Sequence, residues 1–83
     1  MDGDGLAALR TFPQYREDGR EHVFPSPTSL EWSCRKHRRA LVEAGALVLV
    51  AGRRMLNPPL ADAVFLAAAR HAMLATLADE ADA

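Results

Sequence analysis

Residues 46–50 read Ala-Leu-Val-Leu-Val and lie between Gly45 and Gly52, and this short bracketed run limits what the chain can fold into more than any other feature. The run is too short and too β-branched for a helix, and a glycine stands near each end. It reads as a strand. Ala51-Gly52-Arg53 then makes a tight turn, and residues 54–56 return as a second strand. The remaining pattern is helical, so the expected fold is α+β, mostly helical, with one two-stranded hairpin followed by a C-terminal helix.

The segment before the hairpin is the best-defined helix, over residues 28–44. Thr28 with Glu31 three residues on matches a capping box, while Ser26 with Pro27 at the first helical position is a competing start. Gly45 supplies the left-handed residue that ends it. At about 100° per residue, Leu30, Cys34, His37, Leu41 and Ala44 share one stripe, with Arg35, Arg39, Trp32, Glu43 and Lys36 on the other side. Trp32 is expected to pack on Pro27 or Phe24. After the hairpin, Asn57 caps a helix with Pro58 near its first position, and the Ala-rich residues 60–77 carry it on. That helix is apolar on two sides. Leu60, Val64, His71, Leu74 and Ala78 form one stripe, and Leu66, Met73 and Leu77 form another. The second stripe either packs on the N-terminal helix or forms a homodimer.

The N-terminal part is less regular. Leu6, Leu9 and Phe12 have helical spacing, which predicts a short helix over 6–15 with Asp4 as its cap. Pro13 either ends that helix near Thr11 or begins a second turn. Residues 16–22 read as a polar loop, after which Val23 and Phe24 return to the core. One domain is expected over 6–78, with a disordered N-terminus at 1–5 and a frayed C-terminus at 79–83.

At 83 residues the chain is one small domain with a marginal core. Its net charge of −1 excludes a protein that coats DNA non-specifically, but the distribution matters more than the total. Residues 33–55 hold six cations against Glu43 alone, a net of +5; the rest holds four cations and ten acids, a net of −6. Such a bipolar molecule suits one anionic partner. The lone Cys34 excludes an internal disulfide and falls on the buried stripe, which predicts an unreactive thiol in a reducing cytoplasm. The sequence shows no signal peptide, and no apolar run approaches the length of a membrane span. Gly-rich phosphate loops, paired carboxylates, nucleophile–base pairs and metal-ligand spacings are not visible, so neither an enzyme nor a cofactor or metal site is expected.

Helix, glycine, hairpin, helix is the skeleton of a winged helix-turn-helix. The run "ALVEAGALVLVAGRRMLNPPLADAVFLA" resembles the excisionase-like and AlpA-like small DNA-binding proteins of phages, plasmids and genomic islands. Gly45, Val48, Gly52-Arg53-Arg54, Leu56 and Asn57-Pro58 match that pattern, over about the C-terminal two-thirds of the chain. Residues 16–27 depart from it, standing where the family has a tight turn. The resemblance implies sequence-specific binding of double-stranded DNA by a small mobile-element regulator or excisionase-type factor. Arg35, Arg38 and Arg39 would reach the major groove, Lys36 a flanking phosphate, and Arg53 and Arg54 the backbone or minor groove from the wing. The alternative is a protein-binding module that occupies a host protein such as a nuclease complex.

Overall fold

The computed structural model describes residues 5–82; the expected disorder of residues 1–4 and the Asp4 cap fall outside that range. Leu6–Ala8 make a single 3-10 turn, and Arg10 then exchanges both backbone hydrogen bonds with Leu56, each at 2.8 Å. The helix expected over 6–15 is therefore replaced by a turn, an extended bridge and a later helix, α1 (Phe12–Glu17). Thr11 sets its start: the Thr11 hydroxyl accepts from the Gln14 N–H while the Gln14 side chain accepts from the Thr11 N–H, and Pro13 sits in the first turn.

Helix α2 (Pro27–Lys36) begins at the competing start. Ser26 and Ser29 form its capping box, not Thr28 and Glu31. Pro27 fits the first helical position, and Glu31 is engaged elsewhere, by Arg54. The expected single helix to residue 44 is also broken. His37 leaves helical geometry (φ −108°, ψ 25°), and α3 (Arg38–Glu43) follows. The His37 ring meets Phe65 edge-on, with centroids 6.1 Å apart. Leu30, Cys34 and Leu41 of the predicted stripe are buried, His37 is half-buried, and Ala44, at the helix end, is exposed.

Gly45 ends α3 in the left-handed conformation, φ 74°. Strands β1 (Leu47–Val50) and β2 (Arg53–Leu56) pair antiparallel, with Leu47 opposite Leu56 and Val50 opposite Arg53. Arg53 thus belongs to the strand rather than to the turn. The turn is Ala51-Gly52 alone, and both residues have positive φ, 51° and 77°. That is the type I′ geometry whose twist matches a two-residue hairpin, and it places an alanine where Asn or Gly is favoured.

Helix α4 (Pro58–Asp82) is longer than the expected 60–77. Its packed face overlaps the predicted one only at Val64, which packs on the core: Leu60, His71, Leu74 and Ala78 are exposed, while Ala61 is fully buried and Phe65 packs beside it. Leu66, Met73 and Leu77 are also exposed, so they do not pack on the N-terminal segment. Val23 and Trp32 are likewise exposed, contrary to expectation. Phe24 takes the core position, and Trp32 lies under the Lys36 ammonium at 5.0 Å. One further correction concerns length: Pro58–Glu80, 23 residues, is long and apolar enough to cross a membrane. Counting uninterrupted apolar residues missed it because Asp62, Arg70 and His71 divide the run.

The core is small: Tyr15, Phe24, Leu30, Cys34, Leu41, Ala46, Leu56 and Ala61. Burying each leucine stabilises the fold by about 1.5–3 kcal/mol. Phe65 closes the cluster, with Phe24 edge-on at 5.2 Å and Tyr15 tilted at 6.4 Å. At its border, Asp62 accepts from the Tyr15 hydroxyl at 2.7 Å and from Arg20 Nε and Nη2 at 2.8 and 2.9 Å. The Arg20 hydrogen bonds hold the Asp62 carboxyl below the usual carboxylate range, and burial with the Asp62 contact pushes the Tyr15 phenol up.

Two outcomes follow from this packing. Asp62→Ala should cost about 1–3 kcal/mol in urea unfolding. Most of that comes from leaving the Tyr15 hydroxyl without an acceptor; the charge itself, on a side chain 40% exposed, is partly screened. Because the folded carboxyl titrates low, the charge-dependent part of this contribution is complete above about pH 4 and is lost as pH falls through the depressed value. The gap between wild type and variant should therefore narrow in acid without closing, since a protonated Asp62 still accepts from Tyr15. Ala51→Asn should raise stability by about 0.5–1 kcal/mol, since Asn tolerates the left-handed turn position; a lower denaturation midpoint would contradict the turn assignment.

Candidate nucleic-acid interface

The break at His37 decides how the cations are shared out. Arg35 at the end of α2 and Arg38 at the start of α3 stand on the side that faces the hairpin. With Arg54 of β2 they line a groove of about 480 Å³ whose other walls are Cys34, Val42, Leu47, Val48 and Leu49. Val42 and Leu49 are exposed there, at 54% and 71%. Arg53 and Arg54 also border a shallower depression with Thr11, Phe12, Pro13 and Glu31.

The predicted basic set therefore divides. Arg35, Arg38 and Arg54 come together, and Arg53 is beside them on the hairpin. Lys36 points to the opposite side, onto a surface shared with His37, Ala40, Val64, Ala68 and His71. Arg39 Nε donates to Glu43 at 2.9 Å across one helical turn; both are well exposed, so the pair is weak and easily exchanged. Among the described residues Arg35, Arg38 and Arg53 have no acid within ion-pair distance.

Arg54 has a second task that its spacing in the sequence does not reveal. One of its terminal nitrogens donates to both oxygens of Glu31 at 3.0 Å, and its guanidinium lies 4.9 Å above the Phe12 ring. It ties the hairpin to α1 and α2, and it enters the groove already half neutralised. Glu31 was legible only as a capping residue, since its partner is 23 positions away.

Cys34 is part of the groove wall but is 2% exposed, and burial pushes its thiol up to about 11, so it is no nucleophile at neutral pH. Among the described residues no group of three or more His, Cys, Asp or Glu side chains is placed to hold a metal ion. What the face offers is fixed positive charge around two exposed apolar side chains. No family model, curated protein or solved structure matches the chain.

Since both partners of the Arg54–Glu31 pair remain partly in solvent, Glu31→Gln should lower stability by less than about 1 kcal/mol. A denaturation midpoint that collapses would mean the hairpin depends on this pair alone.

Proposed function

We propose that the chain is a winged helix-turn-helix protein that binds double-stranded DNA sequence-specifically, in the manner of small mobile-element regulators and excisionase-type factors of the cytoplasm. The observation that carries this reading is the convergence of Arg35, Arg38 and Arg54 on one groove between helices and hairpin, in a chain that is acidic elsewhere. The pattern around Gly45, Gly52-Arg53-Arg54 and Asn57-Pro58 points the same way.

The physics suits a duplex. The major groove admits a helix and is edged by phosphates, so Arg35 and Arg38 on adjoining helix ends would reach base edges and backbone together. Arg53, on the hairpin, would lie on the backbone or in the adjacent minor groove. Val42 and Leu49 would meet thymine methyl groups. Arg39 becomes a phosphate contact once Glu43 releases it, and Lys36 a contact only for DNA that wraps toward α4.

The exposed Val42 and Leu49 also favour a second reading, a protein-binding module. An acidic peptide with apolar residues, presented by a host protein such as a nuclease complex, would use the same groove.

Titration of a duplex library at several salt concentrations tests the first reading. Arg35→Ala with Arg38→Ala should weaken binding well over tenfold and reduce the salt slope by about two. Arg39→Ala should have a smaller effect, and Glu31→Gln, which frees Arg54, should strengthen binding. Wild type that binds no duplex at low salt, yet forms a stable complex with an acidic protein, would establish the second reading instead.

A further inference from the structure

Beyond Phe65, helix α4 leaves the domain. Residues 69–80 are exposed throughout, and Leu66, Met73, Leu74 and Leu77 are 54%, 56%, 64% and 50% exposed. Together these four leave roughly 400 Å² of apolar surface in water, in the range that marks an interaction surface.

The order of residues along this surface specifies its partner. Leu66, Arg70, Met73, Leu77 and Glu80 are separated by steps of four, three, four and three, the spacing of a coiled-coil seam. The seam lies roughly 140° around the helix from Ala61, Phe65 and Ala68, which face the domain, so a second helix laid along it meets neither α3 nor the hairpin. A parallel pair would set Arg70 against Arg70 and Glu80 against Glu80. An antiparallel pair with its two-fold axis at Ala75 sets Arg70 against Glu80 of the partner subunit and Met73 against Leu77 of the partner subunit, each contact occurring twice.

We propose that the chain forms an antiparallel two-fold dimer through α4, with two Arg70–Glu80 ion pairs bracketing an apolar centre of Met73 and Leu77 from both copies. Such an interface is self-complementary, as two-fold symmetry requires. Within the described helix the two copies overlap over residues 68–82, about 15 residues or roughly 22 Å. At the centre Met73 and Leu77 of the two chains withdraw roughly 400 Å² of apolar surface from water, well below the about 1,200 Å² of the smaller stable complexes, so the dimer is weak and depends on concentration.

A lipid bilayer is the competing occupant, since Pro58–Glu80 has the length and composition of a span. Its first turns are already committed, with Ala61 buried and Asp62 held by Arg20 and Tyr15. The free stretch to Glu80 is about 22 Å long, short of the roughly 30 Å hydrocarbon core, and it carries Arg70 and His71 in its middle.

Sedimentation equilibrium of the full chain over a micromolar concentration range tests the dimer independently of any DNA binding. Wild type should sediment as a monomer–dimer mixture. Arg70→Glu and Glu80→Arg should each weaken association about tenfold or more, and the two together should restore it to within about threefold of wild type. Circular dichroism should be unchanged, because both positions are exposed. Orientation has its own readout: Met73→Cys chains mixed with Leu77→Cys chains should cross-link to each other and not to themselves on oxidation, the buried Cys34 taking no part. The proposal is overturned by a wild type that stays monomeric, whether or not it partitions onto phospholipid vesicles. It is equally overturned by a dimer indifferent to charge reversal, or by self-cross-linking of either cysteine variant.

Discussion

Asp62 is bound by two side chains from the N-terminal segment, and the placement of the long helix depends on that join. Arg20 reaches it in a bidentate grip while also donating to the Tyr15 and Asp18 carbonyls and lying 4.2 Å over the Tyr15 ring. A charge-assisted pair of this geometry fixes orientation as well as distance. The apolar core behind it contains few large side chains, so a polar join at its border has an outsized share in holding the elements together. With the first turns of α4 pinned, the remainder has no surface of its own domain to lie on. The exposure of Met73 and Leu77 is thus a consequence of Asp62 and Ala61.

The hairpin is held by a different logic. Its second strand is anchored at one end by the Arg10–Leu56 bridge and on its flank by Arg54, through Glu31 and Phe12. These contacts set the width of the groove between the hairpin and α2–α3. Arg54 is therefore both wall and charge, and Glu31 both a brace and an electrostatic brake on the basic face. Arg35, Arg38 and Arg54 line that groove from three elements, which no single helix face would achieve, and among the described residues Arg35 and Arg38 have no acid within ion-pair distance.

Much of this was legible in the sequence. Gly45, the β-branched run and Gly52 specify a strand, a tight turn and a return because so few backbone conformations satisfy them. Leu30, Cys34 and Leu41 were readable as core from helical spacing, and the basic segment stood out by composition alone. The differences have two causes. Periodicity assumes an unbroken helix, and His37 interrupts it, which separates Arg35 and Arg38 from Lys36 and Arg39. On α4, which is unbroken, the difference has another source: weighting the stripe by side-chain size favours Leu60 and Leu74, whereas the small Ala61 is the residue fully buried and Phe65 packs beside it.

The sequence by itself determined the hairpin, the helical character of α2 and α4, the charge separation and the heptad order along α4, because all of these are local: they depend on neighbours within a turn or two. The extended segment at Arg10 is not among them, since its bridge partner is Leu56. Only the tertiary structure decided which apolar stripe is buried, which arginines share a groove and which are neutralised. Those outcomes rest on pairs far apart in the chain, Arg20 with Asp62 and Glu31 with Arg54, which become neighbours only when the helices close on the core.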